Sequence, residues 1–274
     1  MSKIDSAFSG RGPAVILLHG FPFNRSMWRG QIEFLSAHDY RVVAPDLRGL
    51  GENVAQTSVC ETSTANHRLK SVPLITMEDM ARDVAALMDQ LKIDRAAICG
   101  LSMGCYVAFE FIHLFRSRVR ALVLCGPRAQ GPDDAEKKSR AEQAQRVLAE
   151  GMQFAVASIS RSLLAEATLR EKPEVVESVR DMVLRTDPRG AAAAQNGMAA
   201  RRDYSDELAK ITVPTLIIAG REDGVRKPED AEFIHRGIRG SQLVTIDEAG
   251  HLMNMEQPEI FNRALIDFLN RLTH

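Results

Sequence analysis

Six short apolar runs rich in β-branched residues, at 14–18, 41–44, 96–99, 121–125, 215–219 and 242–246, constrain this chain more than any other feature. Most are followed by a stretch whose apolar residues recur at three-and-four spacing. Strands that alternate with helices pair in parallel, because each crossover carries the chain back to the same end of the sheet. The pattern therefore predicts a mostly parallel sheet with helices on its faces. The best helix spans 77–91, where Met80, Ala81, Val84, Leu87, Met88 and Leu91 form one stripe behind a Thr76–Asp79 capping box. Another opens on Pro258 and carries Phe261, Ala264, Leu265, Phe268 and Leu269 on one face, as a closing helix packed on the sheet.

Between the fourth and fifth of these runs the strand signal stops. Residues 128–210 carry helical patterns at 136–149, 153–165, 173–184 and 189–201 instead. A length of 274 residues admits two small domains or one larger α/β domain with an insertion. The uninterrupted helical stretch predicts the second: a core built from 1–127 and 211–274, with 128–210 as a helical cap. The cap opens on PRAQGPDDAEKK, charged and turn-rich, with Gly131 and Pro132 as a hinge. Residues 52–75 are polar, without useful period, and long for an ordered connection.

Charge and cysteine content narrow the partner. Lys plus Arg is 35 against 36 for Asp plus Glu, so no global positive field favours nucleic acid or an anionic membrane, and a small-molecule partner is expected. The four cysteines, Cys60, Cys99, Cys105 and Cys125, form no C-x-x-C pair, which fits a reducing cytoplasm. The apolar run near the start is too brief for a secretory segment or a bilayer span, and a soluble, intracellular protein is expected.

The run at 96–99 ends on Gly100-Leu101-Ser102-Met103-Gly104, immediately before a second apolar stretch with helical period. A serine between two glycines at a strand-to-helix switch is a nucleophile elbow: the turn leaves no room for neighbouring side chains and holds the hydroxyl exposed at the sheet edge. A serine hydroxyl is a weak nucleophile at neutral pH and needs a histidine to take its proton and an acid to orient that histidine. In this architecture the order is serine, acid, histidine. Asp223 follows the fifth run and His251 the sixth, both at strand C-terminal ends, where sites on open parallel sheets collect. Glu222 is the rival acid. The oxyanion-hole donors are assigned to the backbone N–H of Met103, just after the serine, and of Phe21, after the first strand. His19 precedes the serine and is read as structural.

These motifs carry a resemblance. From about Ala14 to Leu272 the sequence resembles the α/β-hydrolase family, through HGFP at 19–22, DLRGLG at 46–51, GLSMG at 100–104, GREDGVRKP at 220–228 and GHLMNMEQPEIFNRALIDFL at 250–269. The resemblance implies the α/β-hydrolase fold and carries the family's triad onto Ser102, Asp223 and His251. Within the family the chain is similar to small bacterial esterases and 3-oxoadipate enol-lactonases, which implies a serine hydrolase cleaving carboxylic esters or lactones through an acyl-enzyme. Two alternatives stand beside it: a perhydrolase or haloperoxidase using the same triad, and a slow-turnover ligand receptor on the same fold. The chain departs from the family at Leu50, where an aromatic residue or His is frequent, at Glu52 for a usual Ser, and at Cys105 for a common glycine.

Three residues are expected to touch substrate. Arg128, at a strand end and at the threshold of the cap, is placed to bind a carboxylate. Trp28 either lines the pocket or packs the first helix, and Met253 sits close to the catalytic histidine in sequence. His38, His67, His113, His235 and His274 lack metal-ligand spacing, and Cys105 reads as a small buried packing residue. No P-loop, dinucleotide fingerprint or cysteine metal site is present, so neither metal nor cofactor is expected.

Overall fold

In the computed structural model, residues 6–53 and 74–272 are described. Cys60, His67, His274 and most of the polar 52–75 segment lie outside them. Seven strands form one sheet in the order β1-β3-β2-β4-β5-β6-β7. They are β1 (Ser6–Ser9), β2 (Ala14–Leu18), β3 (Arg41–Pro45), β4 (Ala96–Leu101), β5 (Val119–Cys125), β6 (Thr215–Gly220) and β7 (Gln242–Ile246). Six are parallel, as the alternating pattern predicts, and β1 alone runs antiparallel, against β3. The sequence reading missed β1: it is four residues on the sheet edge, too short for a recognisable period.

The central strands are buried on both faces, and the pleat divides their side chains between two cores. Ile16, Leu18, Ile98 and Leu122 point to one face and pack with α2 (Met77–Gln90) and α3 (Met103–Leu114). Val15, Leu17, Ala97 and Val123 point to the other and pack with the region of α1 (Arg29–Ala37) and α11 (Pro258–Asn270). The capping box of α2 forms as expected: the Asp79 amide donates to Thr76 Oγ1 at 3.0 Å, and the Thr76 amide donates back to the Asp79 carboxylate at 2.9 Å.

Between β5 and β6 the chain forms α4 (Asp134–Glu150), α5 (Gln153–Leu163), α6 (Glu166–Glu171), α7 (Pro173–Arg185) and α8 (Pro188–Ala199). The helix expected over 153–165 stops at Leu163, because the chain turns there to bond the loop beyond β7. The remaining helices are α9 (Pro228–Gly237) and the short α10 (Met253–Glu256). Among the described residues no helix is long and apolar enough to cross a membrane.

Candidate active site

Ser102 is the single residue between β4 and α3, with φ +54° and ψ −111°, a conformation that costs an L-residue energy and persists only where its surroundings enforce it. They do so on both sides. The Ser102 amide donates to Cys125 O at 2.9 Å, and its carbonyl accepts from the Cys105 amide at 2.9 Å. A side chain at Gly100 would stand 2.3 Å from Gly104 O, and one at Gly104 would stand 2.2 Å from Leu18 O. The two glycines are therefore required by the closeness of strand, turn and helix. Met103, next in the chain, is the first residue of α3, where amides have no partner within the helix and point toward any charge placed there.

Asp223 lies in the loop after β6. One carboxylate oxygen accepts from the amides of Val225 and Arg226, both at 2.8 Å, which fixes the group; the other meets His251 Nδ1 at 2.6 Å. Both side chains are almost fully buried, 1% and 2% exposed. With Nδ1 donating to the carboxylate, Nε2 presents a lone pair. That Nε2 is buried without a hydrogen-bond partner among the described residues, and His251 and Ser102 line the same cavity. Glu222 is exposed and instead accepts from the Glu166 amide at 3.2 Å, so the geometry selects Asp223 as the histidine's partner. Gly126, just past β5, makes room for this pair: with φ +55°, a side chain there would stand 2.9 Å from His251 Cε1.

The histidine loop is clamped from below. Glu256 is fully buried, and its carboxylate accepts from the amides of Gly250 at 2.9 Å, Leu252 at 3.2 Å and Ala165 at 2.7 Å. Burial pushes its pKa above the ordinary carboxylate value, against the lowering effect of these amides. The His251 amide donates to Leu163 O at 2.7 Å, so the loop is tied to α5 and the turn beyond it. Asn254 donates to Met27 O at 2.9 Å, and Gln31 donates to Asn254 O at 3.1 Å, which ties the loop to the start of α1.

His19 is structural, as expected. It is buried, its Nδ1 bonds Gly20 O at 2.9 Å, and its Nε2 accepts from the Leu47 amide at 2.9 Å, joining the loops after β2 and β3. Burial lowers its pKa, which favours the neutral ring this pattern requires. Of the other described histidines, His38 bonds Phe34 O and His235 bonds Ser241 in exposed local contacts, and His113 on α3 bonds Glu207, 94 residues away in sequence, also at the surface. Cys105 is buried and its thiol is pushed far up by burial, which leaves it a packing residue. Among the described residues no group of three or more His, Cys, Asp or Glu side chains is arranged to hold a metal.

The cavity over Ser102 has a volume of about 820 Å³. Phe21 and Arg128 line it; Trp28 and Met253 do not. Trp28 is completely buried and faces the Phe261 ring of α11 at 6.1 Å between centroids, and Met253 opens α10 with its side chain in the same core. Both expectations of substrate contact are corrected accordingly: nearness to the site in sequence placed these residues on elements that turn into the core.

Sequence reasoning also missed a charged part of the cavity lining. Tyr106, Glu136, Arg140 and Arg226 line the cavity with Arg128. Glu136 is the hub. Arg201 donates to both its oxygens, at 2.8 and 3.0 Å, Arg140 approaches at 2.8 Å and Arg128 at 3.5 Å. Burial opposes ionisation of Glu136, but the hydrogen bonds and charges of Arg201 and Arg140 outweigh it and hold the pKa at about 2. Arg201 in turn lies over the Tyr106 ring, 4.5 Å from its centroid.

A family model described as alpha/beta hydrolase fold matches residues 13–258. The 3-oxoadipate enol-lactonase 1 of Acinetobacter baylyi is 29% identical over 260 residues, spanning 95% of this chain and 90% of that protein. Among solved structures, a malate-bound thermophilic esterase from Thermogutta terrifontis is 39% identical with a TM-score of 0.89, covering 98% of this chain and 93% of that one. The enol-lactonase from Burkholderia xenovorans is 27% identical with a TM-score of 0.83, covering 97% and 96%.

Proposed function

We propose that this chain, which belongs to the α/β-hydrolase family, hydrolyses carboxylic esters or lactones with Ser102 as nucleophile, His251 as general base and Asp223 as the group that orients His251. The observation that carries the proposal is the buried Asp223–His251 pair, 2.6 Å apart, whose unpartnered Nε2 lies on the cavity that also holds a backbone-strained serine. The esterase and enol-lactonases it resembles support the choice of ester and lactone bonds.

In the first half-reaction Ser102 Oγ attacks the carbonyl carbon while His251 Nε2 takes the hydroxyl proton. Asp223 keeps the ring in the tautomer that can accept and stabilises the imidazolium that forms. The carbonyl oxygen becomes an oxyanion facing the N–H groups of Met103 and Phe21. Collapse breaks the bond to the leaving oxygen, which takes the proton from His251. With a lactone that hydroxyl stays attached to the acyl group. Water, activated by His251, then frees Ser102. Residues 128–210 serve as the cap over this chemistry, and Arg128 stands at its threshold on the cavity wall, facing Glu136 at 3.5 Å.

Labelling with a fluorophosphonate probe, together with turnover of a simple aryl ester, tests the assignment. Ser102→Ala is expected to abolish labelling and to reduce kcat by about 10⁶. An alanine variant that keeps its fold and still turns over the ester near the parent rate overturns it.

A further inference from the structure

Four arginines, Arg128, Arg140, Arg146 and Arg226, line the cavity against two acids, Asp133 and Glu136. Three of the four have a carboxylate partner: Arg128 and Arg140 face Glu136, and Arg146 pairs with Glu150. Arg226 pairs with no carboxylate among the described residues. Its Nη2 donates to the Tyr106 hydroxyl and its Nη1 reaches Val225 O at 3.4 Å, both neutral acceptors, while its Nε is buried without a partner. Glu136 and Asp230 favour its charge from outside ion-pair distance, while the close contacts to Glu136 belong to Arg201, Arg140 and Arg128. A partly buried guanidinium with an orphan N–H on the wall of a cavity is poorly satisfied as it stands, and a carboxylate arriving in the cavity would satisfy it by a charged, directional contact.

The placement ties this cation to the chemistry at two points. Its own backbone N–H holds Asp223 at 2.8 Å, so the loop that orients the histidine also sets the arginine. Its partner Tyr106 lies on α3 four residues beyond Ser102, about one helical turn, or ~5.4 Å, along the axis. We infer that Arg226, steered by Tyr106, is an anion subsite that binds a carboxylate carried by the substrate at a short distance from the scissile carbonyl. The substrate class is therefore half-esters of short dicarboxylic acids, whose free carboxylate reaches Arg226 while the ester lies at Ser102 in the same cavity. This rests on the hydrolase reading above and narrows it. It also moves the carboxylate contact from Arg128, whose guanidinium already faces Glu136, to Arg226.

Monomethyl glutarate and dimethyl glutarate differ only in whether the distal group is a free carboxylate or a methyl ester. The parent is expected to favour the half-ester in kcat/KM by at least about tenfold, and Arg226→Gln to lower that ratio about 10- to 100-fold, the range of a charged hydrogen bond. Arg226→Lys, which keeps the charge but loses the fork, should restore part of it. A parent that hydrolyses both without favouring the half-ester overturns the subsite while leaving the hydrolase reading intact, and so does a folded Arg226→Gln variant with an unchanged ratio. If neither ester is hydrolysed and the fluorophosphonate fails to label, the hydrolase reading has failed. The subsite is then decided by calorimetry with glutarate: binding to the parent that is lost in Arg226→Gln supports it, and no binding to the parent overturns it.

Discussion

The two walls of the cavity are built on opposite principles. At the strand ends, Ser102, Asp223 and His251 are held by backbone: a positive φ, glycines whose side chains would collide, and amides at 2.8 Å on the acid. On the other wall, long guanidinium side chains from α4 and from the loops before α4 and after α8 gather round Glu136, and the charge is shared among Arg128, Arg140 and Arg201. A site fixed by backbone has one residue for each task and fails steeply when it is changed. A wall made of shared charges contributes to binding and stability in graded steps and leaves the chemical step alone.

The sharpest way to break that contrast is at the acid. Asp223→Asn keeps the shape but allows the histidine the wrong tautomer, and is expected to lower kcat by about 10⁴. Glu222→Gln, one residue earlier, loses only an exposed contact to the Glu166 amide at 3.2 Å and should stay within about threefold of the parent, as exposed substitutions generally do. Steady-state kinetics on the two variants decide. Equal losses, or a greater loss at Glu222, would mean that the Asp223–His251 bond is not the one that matters.

The next effect belongs to the charged wall and appears in stability. Arg201 has a side chain only 1% exposed, and Glu136→Gln would strip it of its counter-charge, a loss expected to destabilise the fold by about 3–5 kcal/mol. The pH dependence follows from the lowered pKa. Glu136 ionises at about 2 in the fold against an ordinary value of 4.5, so the folded state binds its proton less tightly than the unfolded state. The stabilisation is full above about pH 4.5 and is lost as the pH falls toward 2. Thermal melts across that window should show a steep acid limb in the parent and a flatter one in Glu136→Gln.

What the sequence disclosed divides along the same line. An elbow needs glycine, serine and glycine at fixed spacing, and an acid and a histidine must follow later strands, so Ser102, Asp223 and His251 stand out in the bare text. Arg226 stands three residues after Asp223 and is one of 35 cations in the chain. Only the fold reveals that it lacks an acid while its neighbours share one. Met253 follows His251 by two residues, yet it starts α10 and turns into the core. Adjacency in sequence gives distance along the chain and not the face a side chain takes. Glu256 belongs to a run that the family resemblance picked out, but its purpose becomes visible only when three amides from both sides of the loop converge on it.

Gly126→Ala is expected to cost less than either loss above and separates the two walls most cleanly. The residue lies outside the G-x-S-x-G motif and is not among the residues that line the cavity, but its φ of +55° and its position set how closely β5 approaches the triad. An alanine Cβ would stand 2.9 Å from His251 Cε1, 3.0 Å from Nδ1 and 3.3 Å from Asp223 Oδ2. Those contacts are too short to keep, and the imidazole has little room to yield, since Nδ1 is bonded to Asp223 at 2.6 Å and the His251 amide to Leu163 O at 2.7 Å. A catalytic group moved by about 1 Å costs roughly 10²-fold in rate, whereas a non-glycine residue at positive φ costs about 1–3 kcal/mol in stability. The expected result is a fall of about 10² in kcat with KM close to the parent's, because the arginines that line the cavity have not moved. Glu136→Gln should give the converse, a lower melting temperature with kcat nearly kept. If Gly126→Ala keeps its rate and loses mainly KM, the backbone-fixed corner and the charge-shared wall are coupled, and the division between them fails at the residue where it is most exposed to test.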